Sequence, residues 1–318
     1  MEISVILTVK NEGEEIDNFL NSLLIQSLKP KNITIVDGGS TDDTVEKLTR
    51  FKEKIPNLNI ELKDGFNISQ GRNFAIRNTD TELIAVTDGG VELKSDWLEN
   101  LFSSFEHDKN AKVVAGFSLP LSKSWFERTV SCLFMPQLTE INPKKFMPSS
   151  RSIAFKREVW EKVSGYPENL DVGEDMFFNF KIKNSGYDII FNPDAIVFWK
   201  MRKNIFQLFK QYFKYAFGDG VANMYSYRHA LRFFVYSLLL LLVILFFLTK
   251  NFLFLLIPLP FAIFYIRKAY IRSLKTFKDK TFSEIFFAWI SFPFLQFLID
   301  ISKMTGYISG LIKRENKK

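Results

Sequence analysis

After Leu231 the chain turns abruptly apolar, and this asymmetry constrains its fold more than any other feature. Residues 231–248, 252–266 and 285–299 carry almost no charge, whereas upstream the apolar runs are short and broken by charges. The first block approaches the roughly 20 residues that cross a bilayer as a helix, while the other two suit either a short span or a buried core helix. Only Thr249, Lys250 and Asn251 separate the first two blocks, so these read as a tight helical hairpin. The net charge of +7 gathers around the blocks: Arg228 and Arg232 precede the first, residues 267–280 between the second and third hold six Lys or Arg, and Lys313, Arg314, Lys317 and Lys318 follow. By the positive-inside rule these flanks are cytoplasmic and the hairpin tip faces outward. The third block is basic on both sides, which one crossing cannot satisfy; it lies in the interface, re-enters, or spans against the rule.

Residues 1–200 follow another pattern. Strand-like runs at 3–9, 33–37, 58–62 and 83–87 alternate with helical patterns at 14–27, 42–54, 69–78 and 95–107, an order that predicts a parallel sheet. Met1 runs directly into the first strand, which leaves no room for a signal peptide and keeps this part in the cytoplasm. Cys132 is the only cysteine and His107 and His229 the only histidines, so a disulfide within the chain and a Cys- or His-based metal cage are excluded. After Ala115 the pattern is less regular: a helix at 125–135, a loop at 143–148, a strand at 149–156, helices at 159–163 and 175–184, and a strand at 189–197 broken at Pro193.

Three acidic sites punctuate this part. In the first, Ile33-Thr34-Ile35-Val36 leads into Asp37, a Gly38-Gly39 turn and a helix start where Ser40 and Asp43 have the spacing of a capping box. Asp37 then stands at the carboxyl end of a strand, where open α/β sheets bind ligands; the alternative is an ordinary turn with an incidental Asp. In the second, Asp88 ends the fourth strand, where a hard-oxygen ligand can hold a divalent cation against phosphates. In the third, Glu174 and Asp175 open an amphipathic helix, whose dipole favours an ionised Asp175 competent as a base; the bland reading is helix-start decoration.

The order of these segments resembles the family 2 glycosyltransferases. The resemblance runs from Ile3 to about Gly220 and consists of Val5-Ile6-Leu7-Thr8-Val9-Lys10-Asn11-Glu12, Val36-Asp37-Gly38-Gly39-Ser40-Thr41-Asp42, Gly71-Arg72-Asn73, Val86-Thr87-Asp88, Gly165-Tyr166-Pro167 and Gly173-Glu174-Asp175. It implies an α/β fold of GT-A type, with a mixed, mainly parallel sheet and a following α-helical membrane segment. It further implies that Thr8, Glu12 and Asp37 line the nucleotide pocket, Arg72 faces the donor phosphates, Asp88 sits at a Mg2+ or Mn2+ ion and the donor, Asp175 is the general base, and Glu174 lies on the acceptor side. An inverting transfer needs one carboxylate to deprotonate the acceptor while a nucleotide diphosphate leaves from the opposite face.

Three departures qualify the match. The family usually has a second Asp where Gly90 stands; in an extended chain Glu92 points to the same side as Asp88 and can supply the missing oxygen. The frequent Asp-Asp of the first site is Asp37-Gly38. The Gln-x-x-Arg-Trp of polysaccharide synthases is replaced by Gln211-Tyr212-Phe213-Lys214-Tyr215, and because Lys lacks the fork of Arg a processive synthase is disfavoured. Around Gln211 and Lys214, aromatic and aliphatic residues recur at helical spacing beside Lys203, Lys210 and Lys214: a basic amphipathic helix that either lies on anionic lipid or packs against the sheet. The expected organisation is a catalytic domain at 1–200, an interfacial region at 201–228 and a membrane domain at 229–318, with helices near 231–249, 251–267 and 284–301. The function expected is sugar transfer from a nucleotide diphosphate sugar to a polyprenyl phosphate or lipid-linked glycan at the cell membrane, with the chain multi-pass, its catalytic domain cytoplasmic, and nucleic acid not a partner. The rival is a catalytically silent membrane protein that binds a nucleotide sugar or a protein partner.

Overall fold

A computed structural model describes residues 1–316 of the chain. It divides into two compact units: residues 1–121 with 138–200, and 122–137 with the chain from Met201 onward. In the first unit, β1 (Ile3–Val9), β2 (Ile33–Asp37), β3 (Leu58–Leu62) and β4 (Leu83–Val86) are joined by α1 (Ile16–Leu24), α2 (Thr44–Lys52) and α3 (Ile68–Arg77). β5 (Val91–Leu93), α4 (Trp97–His107), β6 (Val113–Leu121), β7 (Ile153–Lys156), α6 (Arg157–Lys162), α7 (Glu174–Asn184) and β8 (Ile189–Lys200) complete it, α5 (Trp125–Phe134) belonging to the second unit. The strands form one sheet in the order β3-β2-β1-β4-β7-β6-β8-β5. The pairs β1/β2, β2/β3, β1/β4 and β6/β8 are parallel, and β4/β7, β6/β7 and β5/β8 antiparallel.

Side chains alternate across β1, so Val5, Leu7 and Val9 join one core with Ile16, Phe19 and Trp97, while Ile6 joins the other with Ala75, Ile84 and Phe178. Both faces of the central strands are therefore covered, which is why they read as unbroken apolar runs. α1 packs through Ile16, Phe19, Leu20 and Leu23, one face of a helix at positions i, i+3, i+4 and i+7. The chain winds outward from β1 to β3 and then returns to β4 on the other side of β1. That reversal leaves a crevice at the carboxyl ends of β1, β2 and β4.

Four local expectations change. β5 and β6 are strands that the sequence pattern does not mark; Gly116 and Pro120 interrupt the apolar pattern of β6, yet its pairing with β7 and β8 holds it extended. Pro193 does not end β8, which runs on to Lys200; the register with β6 jumps from Ala115↔Phe191 to Phe117↔Ile196, and the excess residues, Pro193 among them, are absorbed in that irregularity. Ser40 and Asp43 form no capping box: α2 starts at Thr44 with no side-chain bond from Asp43, and the Ser40 hydroxyl turns to Asp37 instead. The extended stretch from Asp88 to Glu92 is also absent, because Gly89 and Gly90 form a turn before β5.

The second unit comprises α5 with α8 (Ile205–Ala222), α9 (Ser226–Thr249), α10 (Leu253–Leu256), α11 (Leu259–Thr276) and α12 (Phe282–Glu315), and α5 packs on α8, α11 and α12. Ser226–Thr249, Leu253–Thr276 and Phe282–Glu315 are long and apolar enough to cross a membrane. Lys250 takes a left-handed conformation at the end of α9, making the sharp hairpin corner. α12 runs unbroken through the third apolar block for 34 residues, about 50 Å at 1.5 Å per residue. Its Gly306 and Gly310 receive α8 so closely that an added Cβ would lie 2.3 Å from the Phe213 carbonyl oxygen and 2.2 Å from that of Phe217. Asp300 of α12 is fully buried and accepts from Arg232 Nε (2.8 Å), Tyr236 (3.1 Å), Tyr265 (3.2 Å) and Gln296 (3.0 Å), tying α9, α11 and α12 together. α8 buries Leu208, Gln211 and Ala216 and exposes Phe206, Lys210 and Lys214, so one face packs and the other stays open.

Candidate active site

Asp37 closes β2, and the turn beyond it wraps around its carboxylate. Oδ1 accepts from the amides of Gly39 (2.9 Å) and Ser40 (2.8 Å), Oδ2 from the Ser40 hydroxyl. Ser40 Oγ also accepts from the Asn11 amide (2.8 Å), and Asn11 Oδ1 accepts from that of Thr41 (2.8 Å), so the loops after β1 and β2 are sewn together. Asp37 is 2% exposed. Thr8, near the end of β1, donates to the Ile68 carbonyl at 3.3 Å, at the start of α3. Glu12 extends over the β4–β5 turn: a Cβ built on Gly90 would stand 3.5 Å from Glu12 Oε2 and 3.9 Å from Oε1.

The other four motifs form one hydrogen-bonded block. Arg72, on α3, is almost wholly buried; Nη2 donates to Asp88 Oδ1 (2.7 Å) and Nη1 to Glu174 Oε1 (2.8 Å), while its guanidinium lies 5.1 Å over the Tyr166 ring. Burial alone would lower the Arg72 pKa, and the facing carboxylates reverse that and raise it. Burial pushes the Glu174 carboxyl above its ordinary value, with Arg72 opposing. Asn73 clamps the Gly165-Tyr166-Pro167 turn, donating to the Tyr166 carbonyl (2.9 Å) and accepting from the Tyr166 amide (2.9 Å) and Trp160 Nε1 (3.0 Å). Tyr166 stacks on Phe178 of α7 at 4.0 Å, which seats that helix. Gly173 precedes α7 with φ of 81°, a conformation that suits glycine and lets the chain enter the helix sharply.

Adjacent acids on α7 therefore differ. Glu174 is buried and spent on Arg72; Asp175 is partly exposed, its Oδ1 accepting from the Met176 amide at 2.7 Å. Arg72, expected to face the donor phosphates, holds Asp88 and Glu174. Glu92 lies on β5 opposite Phe198 and lines a small crevice with Glu15, Asn18 and Lys200, because the turn at Gly89-Gly90 breaks the alternation that would have aimed it with Asp88. Gln211 accepts from Arg202 Nε (2.9 Å) and donates to Tyr215 (2.8 Å), and it and the exposed Lys214 belong to the second unit. Sequence reasoning missed Arg151, whose Nε is 3.8 Å from Asp88 Oδ2 and whose guanidinium lies 3.8 Å over Trp199. Its one signal is an arginine set between serines ahead of a strand.

Among the described residues no group of three or more His, Cys, Asp or Glu is placed to hold a metal. A Mg2+-type site needs only one or two carboxylates with substrate phosphates completing the shell, and Asp88, two residues before the Gly90 that Glu12 overhangs, fits that pattern.

Comparison with known proteins decides the family. The model of glycosyl transferase family 2 matches residues 4–163, and that of glycosyl transferase family group 2 matches 92–268. The chain belongs to the family 2 glycosyl transferases. The O-antigen chain rhamnosyltransferase RfbN of Salmonella typhimurium is 29% identical over 62% of this chain and 66% of its own length. Glycosyltransferase AglE of Haloferax volcanii is 30% identical over 61% and 65%. This chain thus spans slightly under two thirds of the length of these curated relatives. The mannosyltransferase PcManGT from Pyrobaculum calidifontis, solved in complex with GDP-Man and Mn2+, superposes with a TM-score of 0.57 at 18% identity, covering 100% of this chain and 88% of that one. The family member described here accordingly has the GT-A fold, with its apolar helices following the sheet.

Proposed function

We propose that the chain is an inverting glycosyltransferase that moves a sugar from a nucleotide diphosphate sugar to an acceptor at the membrane, a polyprenyl phosphate or a lipid-linked glycan. The observation that carries this reading is the division of labour on α7. Glu174 is bound to Arg72 and through it to Asp88, which leaves the neighbouring Asp175 as the partly exposed carboxylate at the same block. Thr8, Glu12 and Asp37 form the wall for the base and ribose, Asp37 acting through the loop that it organises. Arg72 acts at one remove from the donor, by holding Asp88 in place. With a glycan acceptor, Asp175 accepts the proton of the acceptor hydroxyl as that hydroxyl's oxygen bonds to the anomeric carbon, and the bond to the diphosphate breaks on the opposite face; a polyprenyl phosphate attacks through a phosphate oxygen that has no proton to lose. A divalent ion, Mg2+ or Mn2+, held by Asp88 and Glu12 would offset the charge of the leaving diphosphate. PcManGT, whose structure holds GDP-Man and Mn2+, and RfbN, named for its rhamnosyl transfer, support the donor class.

The three apolar helices and their basic flanks support a multi-pass protein of the cell membrane with its catalytic unit cytoplasmic. The open face of α8, with Phe206, Lys210 and Lys214, supports contact with anionic lipid; Lys214 is assigned to the acceptor side on that basis, whereas Gln211 lies on the packed face and holds Arg202 and Tyr215.

The test is a panel of radiolabelled nucleotide sugars offered to membranes with lipid extract, reading label in the organic phase. Transfer by wild type, reduced about 10²- to 10⁴-fold in Asp175→Asn, is expected. Unchanged turnover in that variant removes Asp175 from the base role, and nucleotide-sugar binding without any turnover would favour a silent binding protein.

A further inference from the structure

The site contains a second guanidinium that the roles above leave unused. Arg151 stands just ahead of β7, and its Nε faces Asp88 Oδ2 at 3.8 Å, the carboxylate oxygen that Arg72 does not hold. Its guanidinium lies 3.8 Å over the ring of Trp199, and Nη1 donates to Ser149 Oγ at 3.0 Å. Trp199 belongs to β8 and is paired with Val91, two residues after Gly89, so the platform under Arg151 is built from the strand next to the Asp88 turn. The Arg151 side chain is 18% exposed and that of Arg72 2%.

We propose that Arg151, held flat on Trp199, is a ligand for the diphosphate of the donor. The inference rests on the nucleotide-sugar reading and assigns its phosphate contact to a residue outside the six motifs. Arg72 is closed to solvent, with Nη1 on Glu174 and Nη2 on Asp88, so its guanidinium is shut off from an entering diphosphate. Arg151 is the more open of the two guanidiniums at Asp88. Charge points the same way: carboxylates outnumber arginines at this block, and Arg151 supplies a cation that an entering diphosphate can meet. A guanidinium stacked through its face keeps its N–H edge in a fixed plane, the geometry that matches two phosphate oxygens. Stacking on an indole also orders the side chain before the ligand arrives.

The experiment is a titration of the full chain in detergent with UDP and UMP, GDP and GMP, and dTDP and dTMP, once with Mg2+ and once in EDTA. Wild type is expected to bind one diphosphate more tightly than its monophosphate. Arg151→Gln should cut that ratio by about tenfold in both conditions while the monophosphate affinity stays within about twofold of wild type. Arg151→Lys, which keeps the charge and loses the fork, should fall between them and serves as the readout if Arg151→Gln does not fold. An unchanged ratio in a folded variant overturns the role of Arg151 and leaves the donor class standing. Absence of binding of all six nucleotides to wild type overturns both.

Discussion

Arg72 Nη2 lies 2.7 Å from Asp88 Oδ1, which fastens the middle of α3 to the end of β4. Because the same guanidinium also holds Glu174, Arg72→Met strands two carboxylates, one of them buried. Breaking such a pair from one side costs about 3–5 kcal/mol, against about 1 kcal/mol or less for exposed pairs such as Arg50–Glu46. The thermal midpoint in detergent should fall clearly in Arg72→Met and stay near wild type in Arg50→Met; equal midpoints for the two would show that the bridge contributes no stability.

Gly90→Asp places a carboxylate beside Glu12, since its Cβ would sit 3.5 Å from Glu12 Oε2. Like charges there repel without a cation and share one when it is present. The variant should melt below wild type in EDTA and bind Mn2+ about tenfold more tightly, as read by thermal shift against added metal. No gain in metal affinity would separate this turn from metal binding.

Gly310→Leu drives a side chain into the Phe217 carbonyl, 2.2 Å from the Cβ position. Overpacking of this kind costs about 1–3 kcal/mol in cores, and here it meets backbone that cannot rotate away. Detergent unfolding followed by circular dichroism should start at lower temperature, while Ser309→Ala, at a half-buried position of the same helix whose hydroxyl bonds to the Thr305 carbonyl, should stay near wild type.

Acid should loosen the paired loops after β1 and β2. Burial raises the Asp42 pKa, but hydrogen bonds from Thr44 and the Gly13 amide outweigh it, so the folded value lies below the ordinary 3.8. A carboxylate depressed in this way contributes stability above its unfolded pKa and loses it as pH falls through the folded one. Hydrogen exchange of the Gly13 and Thr44 amides should therefore accelerate as pH drops from about 5 to about 2, beyond the intrinsic pH dependence, and Asp42→Asn should abolish that excess.

The four βα repeats of the first unit were legible because β1, β2 and β4 are buried on both faces and each helix on one, which leaves period and punctuation in the sequence. Asp37, Asp88 and Asp175 could be located for a related reason: each sits where an element starts or ends. What could not be read depends on partners distant in the chain. Ser40 and Asp43 have the spacing of a cap, but Asn11 and Asp37 compete for the serine. β6 contains Gly116 and Pro120, and only its neighbours in the sheet make it a strand. Arg72 resembles a phosphate ligand until Glu174, 102 residues on, is found beside it, and Arg151 becomes visible only once Trp199 is beneath it.

α5 lies in the sequence between two strands of the first unit yet packs with the second. Cys132 sits among Ile266, Ala269, Phe277 and Phe292; Val130 meets Leu208, Leu295 and Ile299; and Arg272 donates to the carbonyls of Cys132 and Leu133, both at 3.1 Å. A chain cut after Lys200 would keep this helix and lose everything it packs on, leaving a sticky apolar face in water. A soluble form of the sheet unit thus requires redesign in the middle of the gene, with residues 122–137 replaced by a polar link, as well as a new stop codon.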